Sequence, residues 1–319
     1  MSHFLTNLHF TFASLIHDQL FAGLRTPQIP LTGRTYLLTG AASPLVVAAA
    51  VHLARLKPAR IVLGHPASAL ASASATEAET HERLASRIRR EAGDGFTGEL
   101  DVWALDMADY DSVLRFAERA RATLLRLDGV ILGEDCWYDV AREWRTTQHG
   151  WERMLQINVV STALLDPFYV AFRADNAPRI LDALNESSTH IDRYGMTKLV
   201  LLMLARQMGQ LPIAHKVVIN CANPGIVRTQ KSRLCVSCTN LLAWSPEDGA
   251  TNLVYAVLKP TPPGAYLAAC QIRDPPMWVS SLDGQQAQQR VWWELLDVWM
   301  RITPEALGVV GFGLKGVQS

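Results

Sequence analysis

Several things are scarce in this sequence, and each scarcity excludes a class of protein. An excess of charge of either sign is missing: 30 basic residues balance 30 acidic ones. The composition therefore makes no electrostatic case for nucleic acid or for an acidic membrane surface. Cysteine is sparse and odd in number, with five in 319 residues. That is no disulfide framework, and it points to a reducing, cytoplasmic compartment. Cys235 and Cys238 form one CxxC, but no second Cys/His pair stands at ligand spacing, so no metal site is expected. No apolar run is long enough to span a bilayer. Residues 4–24 come nearest, yet Phe4, Leu8, Phe12, Leu15, Ile16 and Leu20 fall at helical spacing with His9, His17, Asp18 and Gln19 between them. That pattern is an amphipathic helix. It lacks the basic n-region, unbroken apolar core and cleavage site of a signal peptide. Packing on the domain is its simplest role. A membrane-surface or lid role is the alternative, weakened by the absence of basic residues on its polar face.

What is present is an alternation of strands and helices. RTYLLTG (34–40), RIVLG (60–64), DVWALD (101–106), DGVILG (128–133) and HKVVINCANPG (215–225) read as strands. Residues 44–57, 77–92, 109–126, 148–165, 194–209, 245–258 and 283–301 read as helices. Ser245 and Pro246 supply an N-cap and a proline at the first helical position. Such alternation predicts βαβ units and a doubly wound parallel sheet, an α/β fold of Rossmann type. We expect an N-terminal extension over 1–30, one Rossmann domain over 31–302 and a tail over 303–319.

Glycine is short at one telling place. YLLTGAASPLVV is a strand, a turn and a helix, the setting in which a pyrophosphate rests on a helix N-terminus. The dinucleotide fingerprint wants three glycines, but only Gly40 is here. Pro44 and Val46 hold the other two positions. Proline removes a backbone N–H, and the valine is expected to push the helix away from the strand. At the end of the second strand stands His65. Without a carboxylate for a ribose hydroxyl, NADP is favoured over NAD.

Taken in order, these segments resemble the short-chain dehydrogenase/reductase family over roughly residues 18–302, and look most like its fungal, secondary-metabolite branch. TGAASPLV resembles the glycine-rich loop, LDMADYDSV the adenine-side segment with Asp106, and HGWERMLQINVVSTALL the helix bearing an asparagine, here Asn158. LDGVILGED stands in place of the family's NNAG strand but reads LGED at 132–135. DRYGMTK (192–198) resembles the YxxxK motif, and NPGIVRT the PGxxxT segment. The resemblance implies a catalytic Tyr194 that gives a proton to a carbonyl oxygen, with Lys198 lowering its pKa and holding a ribose. It implies an Asn158 that orders a water. Cofactor contacts would come from Gly40, Ser43, Leu45, His65, Asp106, Tyr194, Lys198, Pro224, Gly225, Ile226 and Thr229. The substrate would be a small apolar molecule, and dimers or tetramers are common in the family.

One piece of that family pattern is missing. The stabilising serine should end a strand before the YxxxK helix, and no such strand is legible between STALL (161–165) and NAPRILDALNE (176–186). FYVAF (168–172) is a short substitute without a serine. Ser187 is a candidate, with Ser188, although both read more naturally as flanking the loop into the helix. Three explanations stand open: a divergent reductase recruiting Ser187 or Ser188, a degenerate member that binds ligand without redox chemistry, and a segment lost through an altered gene model or splice form; a cofactor-free dehydratase or cyclase using Tyr194 as acid is a further class on the same fold.

Overall fold

The computed structural model describes residues 17–66, 76–134, 145–165, 179–186, 193–211, 214, 216–228 and 243–303. Four parallel strands form its first sheet: β1 (Thr35–Thr39), β2 (Arg60–His65), β3 (Glu99–Ala104) and β4 (Gly129–Leu132), in the order β3-β2-β1-β4. Every residue of β1 is buried, as a central parallel strand with both faces covered requires. The strands are joined by α1 (Pro44–Arg55), α2 (Glu77–Ala92) and α3 (Tyr110–Thr123).

Alternation along the strands fills two cores. Tyr36, Leu38, Ile61, Leu63 and Ile131 pack with Val46, Val47, Ala50, Leu53 and Ile88 on one face. Leu37, Val62 and Trp103 face the other way, toward Phe116, Val160, Trp292 and Trp299. A period of two in the strands and helices on both faces make a doubly wound Rossmann-type fold.

A second, three-stranded sheet contains β5 (Cys221–Asn223), β6 (Tyr266–Ala268) and β7 (Gln271–Arg273), with β5 parallel to β6 and β6 antiparallel to β7. The strand expected over 215–225 is thus only three residues long. Its upstream part, with Val217 and Val218 about half exposed, has no ladder partner in the short β6.

The remaining helices cover the second core. A helix over 153–164 (α4) runs as Arg153–Leu155, Gln156–Ser161 and Thr162–Leu164, the middle piece being π-helical. Then come α5 (Ile180–Leu184), α6 (Arg193–Met208), α7 (Pro246–Leu258), α8 (Met277–Ser280) and α9 (Leu282–Ile302). Ser245 caps α7 in a reciprocal capping box with Asp248. Trp292 and Trp299 of α9 are buried, and truncating either to alanine costs about 3–5 kcal/mol. Glu294 of α9 accepts the backbone N–H groups of Ile180 and Leu181, at 2.7 Å each. It caps α5, whose own N-cap Arg179 makes no side-chain cap bond. Among the described residues no helix is long and apolar enough to cross a membrane.

Candidate active site

The carboxyl ends of β1 to β4 converge on one edge, drawn together by Ala41 N–H donating to Gly64 O (3.0 Å) and Leu105 N–H to His65 O (2.9 Å). In a doubly wound sheet this edge is where a nucleotide binds. Gly40 turns the chain there at φ +86°, and a Cβ on it would lie 2.5 Å from the Gly133 carbonyl oxygen. Both facts demand glycine. Ser43 N–H closes the turn on Gly40 O at 2.9 Å.

The next helix starts without a cap. Ser43 makes no side-chain cap bond to α1, and the first turn holds no acidic residue. By contrast Thr76, Asp109, Ser245 and Ser281 cap α2, α3, α7 and α9. The first-turn amides of α1, at Leu45 and Val46, thus stay available to an anion. The Thr39 hydroxyl beneath them is fully buried with no partner.

Val46 corrects the sequence reading. It does not hold the helix off the sheet: it is fully buried, and a Cβ on Gly133 would sit 2.5 Å from its Cγ2. The room that the fingerprint's third glycine would provide on α1 is provided from the other side, at the end of β4. The LGED segment, which departs from the family pattern, contributes that glycine.

His65 is buried at the end of β2, its ring edge-on to His81 of α2 with centroids 5.6 Å apart. Asp106 is held just past β3: one carboxylate oxygen accepts Ala108 N–H at 2.9 Å, and its own N–H donates to Ser112 Oγ at 2.9 Å.

Tyr194 and Lys198 share one face of α6, as their spacing requires, with the Lys198 ammonium 5.3 Å from the Tyr194 ring centroid. That is cation–π range. Asn158 approaches from α4. It is fully buried in the π-helical turn, and its Nδ2 donates to Thr197 Oγ1 at 3.1 Å. The Thr197 hydroxyl in turn donates to the Tyr194 carbonyl at 2.8 Å. The widened turn is held open by side chains: Thr162 Oγ1 donates to Ile157 O at 2.8 Å, and Trp299 Nε1 to Val160 O at 3.2 Å. Such π-bulges gather at functional sites. Nothing local in the sequence marks Thr197, Thr162 or Trp299 for this role.

Lys198 also sits by Cys221 on β5. Burial pushes that thiol up to about 11, and the nearby ammonium only partly opposes it. At the end of β5, Asn223 Oδ1 accepts Gly225 N–H and its Nδ2 donates to the Tyr266 hydroxyl, both at 2.9 Å. The chain then turns at Gly225 (φ +77°), where a Cβ would strike the Trp244 ring at 2.6 Å. Pro224, Gly225 and Ile226 are thereby fixed in one loop. Ser187, Ser188, Thr229, Cys235, Cys238 and the FYVAF segment lie outside the described residues. Among the described residues no group of three or more His, Cys, Asp and Glu could hold a metal ion.

The residues present fit a dinucleotide at this edge. An uncapped helix start, an orphaned buried hydroxyl and a glycine-only turn lie together at the end of β1, with His65 ending β2 and Asp106 just past β3. Pro44 offers one N–H fewer than the usual loop.

Comparisons with known proteins bear on the family. The model of the short chain dehydrogenase family matches residues 34–235. The chain is 27% identical over 330 residues to "Short chain dehydrogenase/reductase dmxR8" of Cryptosporiopsis sp., covering 91% of this chain and 97% of that one. It is 28% identical over 269 residues to human "Retinol dehydrogenase 14", covering 75% and 79%. A short chain dehydrogenase from Shigella flexneri, solved in complex with NADP, superposes with a TM-score of 0.55 at 20% identity, covering 77% of this chain and all of that one. With most of the chain spanned by the family's pattern, and its sheet order and Tyr–Lys helix in place, this protein is a member of the short-chain dehydrogenase/reductase family.

Proposed function

We propose that the protein is an NADP-preferring oxidoreductase that interconverts a ketone and a secondary alcohol on a small, fairly apolar metabolite. A cytoplasmic secondary-metabolite pathway is the proposed setting. The observation that carries this reading is the coupled set on α6 and α4: Tyr194 beside Lys198, tied through Thr197 to the buried Asn158.

In the reducing direction the Tyr194 hydroxyl gives its proton to the substrate carbonyl oxygen, which becomes the alcohol. Lys198, next to the ring, favours the negative charge left on the phenolic oxygen. Asn158, held by Thr197, is assigned the ordering of a water behind Tyr194 that helps restore the proton. The nicotinamide nucleotide, when bound, supplies or accepts the hydride. The first-turn amides of α1 would hold its pyrophosphate, Asp106 its adenine, Lys198 its ribose, and Pro224 to Ile226 its nicotinamide end. The absence of a carboxylate at His65 supports NADP, as does the NADP complex of the Shigella relative. Ser187 is proposed for the missing hydroxyl donor.

A ligand-binding protein without redox chemistry is the competing reading, and Pro44 in the phosphate turn favours it. Titration with NADPH and NADH, followed by tryptophan fluorescence and calorimetry, separates the two. Micromolar NADPH binding, with weaker NADH binding, supports the reductase. No binding of either refutes it. With a ketone substrate in hand, Tyr194→Phe should keep NADPH affinity while turnover falls by about 100- to 10,000-fold.

A further inference from the structure

The loop over 223–228 is held down by a segment that belongs to neither sheet. Residues 17–21 form a helical turn ahead of β1. Within it Asp18 and Gln19 are buried, whereas Leu20 and Phe21 are exposed. Gln19 faces the loop. Its Nε2 donates to the Ile226 carbonyl at 2.9 Å, and its Oε1 accepts the Ile226 N–H at 3.1 Å. One side-chain amide thus satisfies both backbone groups of one residue. The same Ile226 carbonyl accepts Trp244 N–H at 2.8 Å, so both its lone pairs are used.

Trp244 locks the arrangement. Its indole Nε1 donates to the Gln19 carbonyl at 3.0 Å, and its own carbonyl accepts Arg228 N–H at 2.8 Å. Asp18 anchors the turn to the second sheet through Arg273 of β7, at 2.6 Å. The space left among Asp18, Gln19, Asn223, Gly225, Trp244 and Ala268 is about 10 Å³, room for at most one water. Only glutamine fits here: asparagine is a methylene shorter, and glutamate cannot donate to Ile226 O.

We propose that Gln19 is a positioning residue, its amide strapping the 223–228 loop in place so that Pro224, Gly225 and Ile226 are preorganised for the nicotinamide end of the cofactor. This rests on the reductase reading above. A loop that must be ordered on binding lowers affinity, and one ordered beforehand does not. The N-terminal segment is then a working part of the site rather than an appendage.

The test uses the full chain with Gln19→Ala, the isosteric Gln19→Glu, and Leu20→Ala at the exposed neighbour as control. Amide hydrogen exchange, measured without nucleotide, reads the strap directly. Gln19→Ala should speed exchange at Ile226 and Arg228 by about tenfold or more, with β1 amides unchanged. NADPH should bind several-fold more weakly, Gln19→Glu should lie between, and Leu20→Ala should match the wild type. If Gln19→Ala unfolds the chain, Gln19→Glu carries the comparison alone. Unchanged exchange over 225–228 overturns the strap. Faster exchange with unchanged NADPH affinity overturns the positioning role. A wild type that binds no nucleotide refutes the reductase reading and the positioning role with it, while the exchange data still decide whether the strap exists.

Discussion

Placing a methyl on Gly133 should test how the altered glycine loop works. The residue has no positive φ, so alanine is free of backbone strain there, and the cost must come from contact. An ideal Cβ lies 2.5 Å from Val46 Cγ2 and 3.1 Å from the Thr39 carbonyl oxygen. Carbon atoms at rest stay about 3.5–4.0 Å apart, so either α1 must lift from the sheet or Val46 must leave its rotamer. Overpacking of this kind costs about 1–3 kcal/mol. For a chain of this length the unfolding entropy is about 0.7 kcal/mol per degree, so Gly133→Ala should lower Tm by about 1.5–4.5 °C. Val46→Ala removes two buried methyl groups and by itself destabilises by about 1–3 kcal/mol. In the double variant the two volumes compensate. The double-mutant cycle, by thermal melts and urea titration, should show a favourable coupling of about 1–2 kcal/mol. Additive losses would refute the reasoning, because they would mean that Gly133 does not make the room Val46 occupies.

Two further predictions concern Glu294 and Cys221. Glu294→Gln leaves one of the Ile180 and Leu181 N–H groups facing an amide NH₂, so it should cost about 1–3 kcal/mol and accelerate exchange at those two amides of α5 more than at the amides of α9; equal exchange would show that Glu294 does not cap α5. Cys221 carries a thiol raised from 9.0 to about 11, so the folded chain holds its proton longer than the unfolded one. Its stabilising contribution is whole below pH 9 and fades as pH rises from 9 through 11, by up to about 2–3 kcal/mol. Cys221→Ala should flatten that alkaline loss relative to wild type, and native Cys221 should react with a thiol reagent at pH 8 far more slowly than in urea; identical pH profiles would rule this out.

Residues that act through near neighbours were legible in the sequence by itself. The short apolar runs TYLLT and RIVLG read as strands of a sheet covered on both faces, and in the structure each successive side chain there meets a different core. The helix expected over 77–92 has those same bounds in the structure, and Ser245 with Pro246 begins α7 as read, since capping involves only a few adjacent residues. The four-residue spacing was enough to set Tyr194 and Lys198 side by side. Tertiary structure decided the rest. Val46 looked too large only because Gly133, its partner, lies far along the chain, just past β4. Glu294 caps a helix 113 residues earlier in the chain, and Gln19 grips a loop 207 residues later. In the π-helical turn Asn158 meets Thr197 of α6, and the Val160 carbonyl accepts Trp299 of α9. No periodicity or propensity records such pairs, because their energy exists only once distant segments are packed and water is excluded between them.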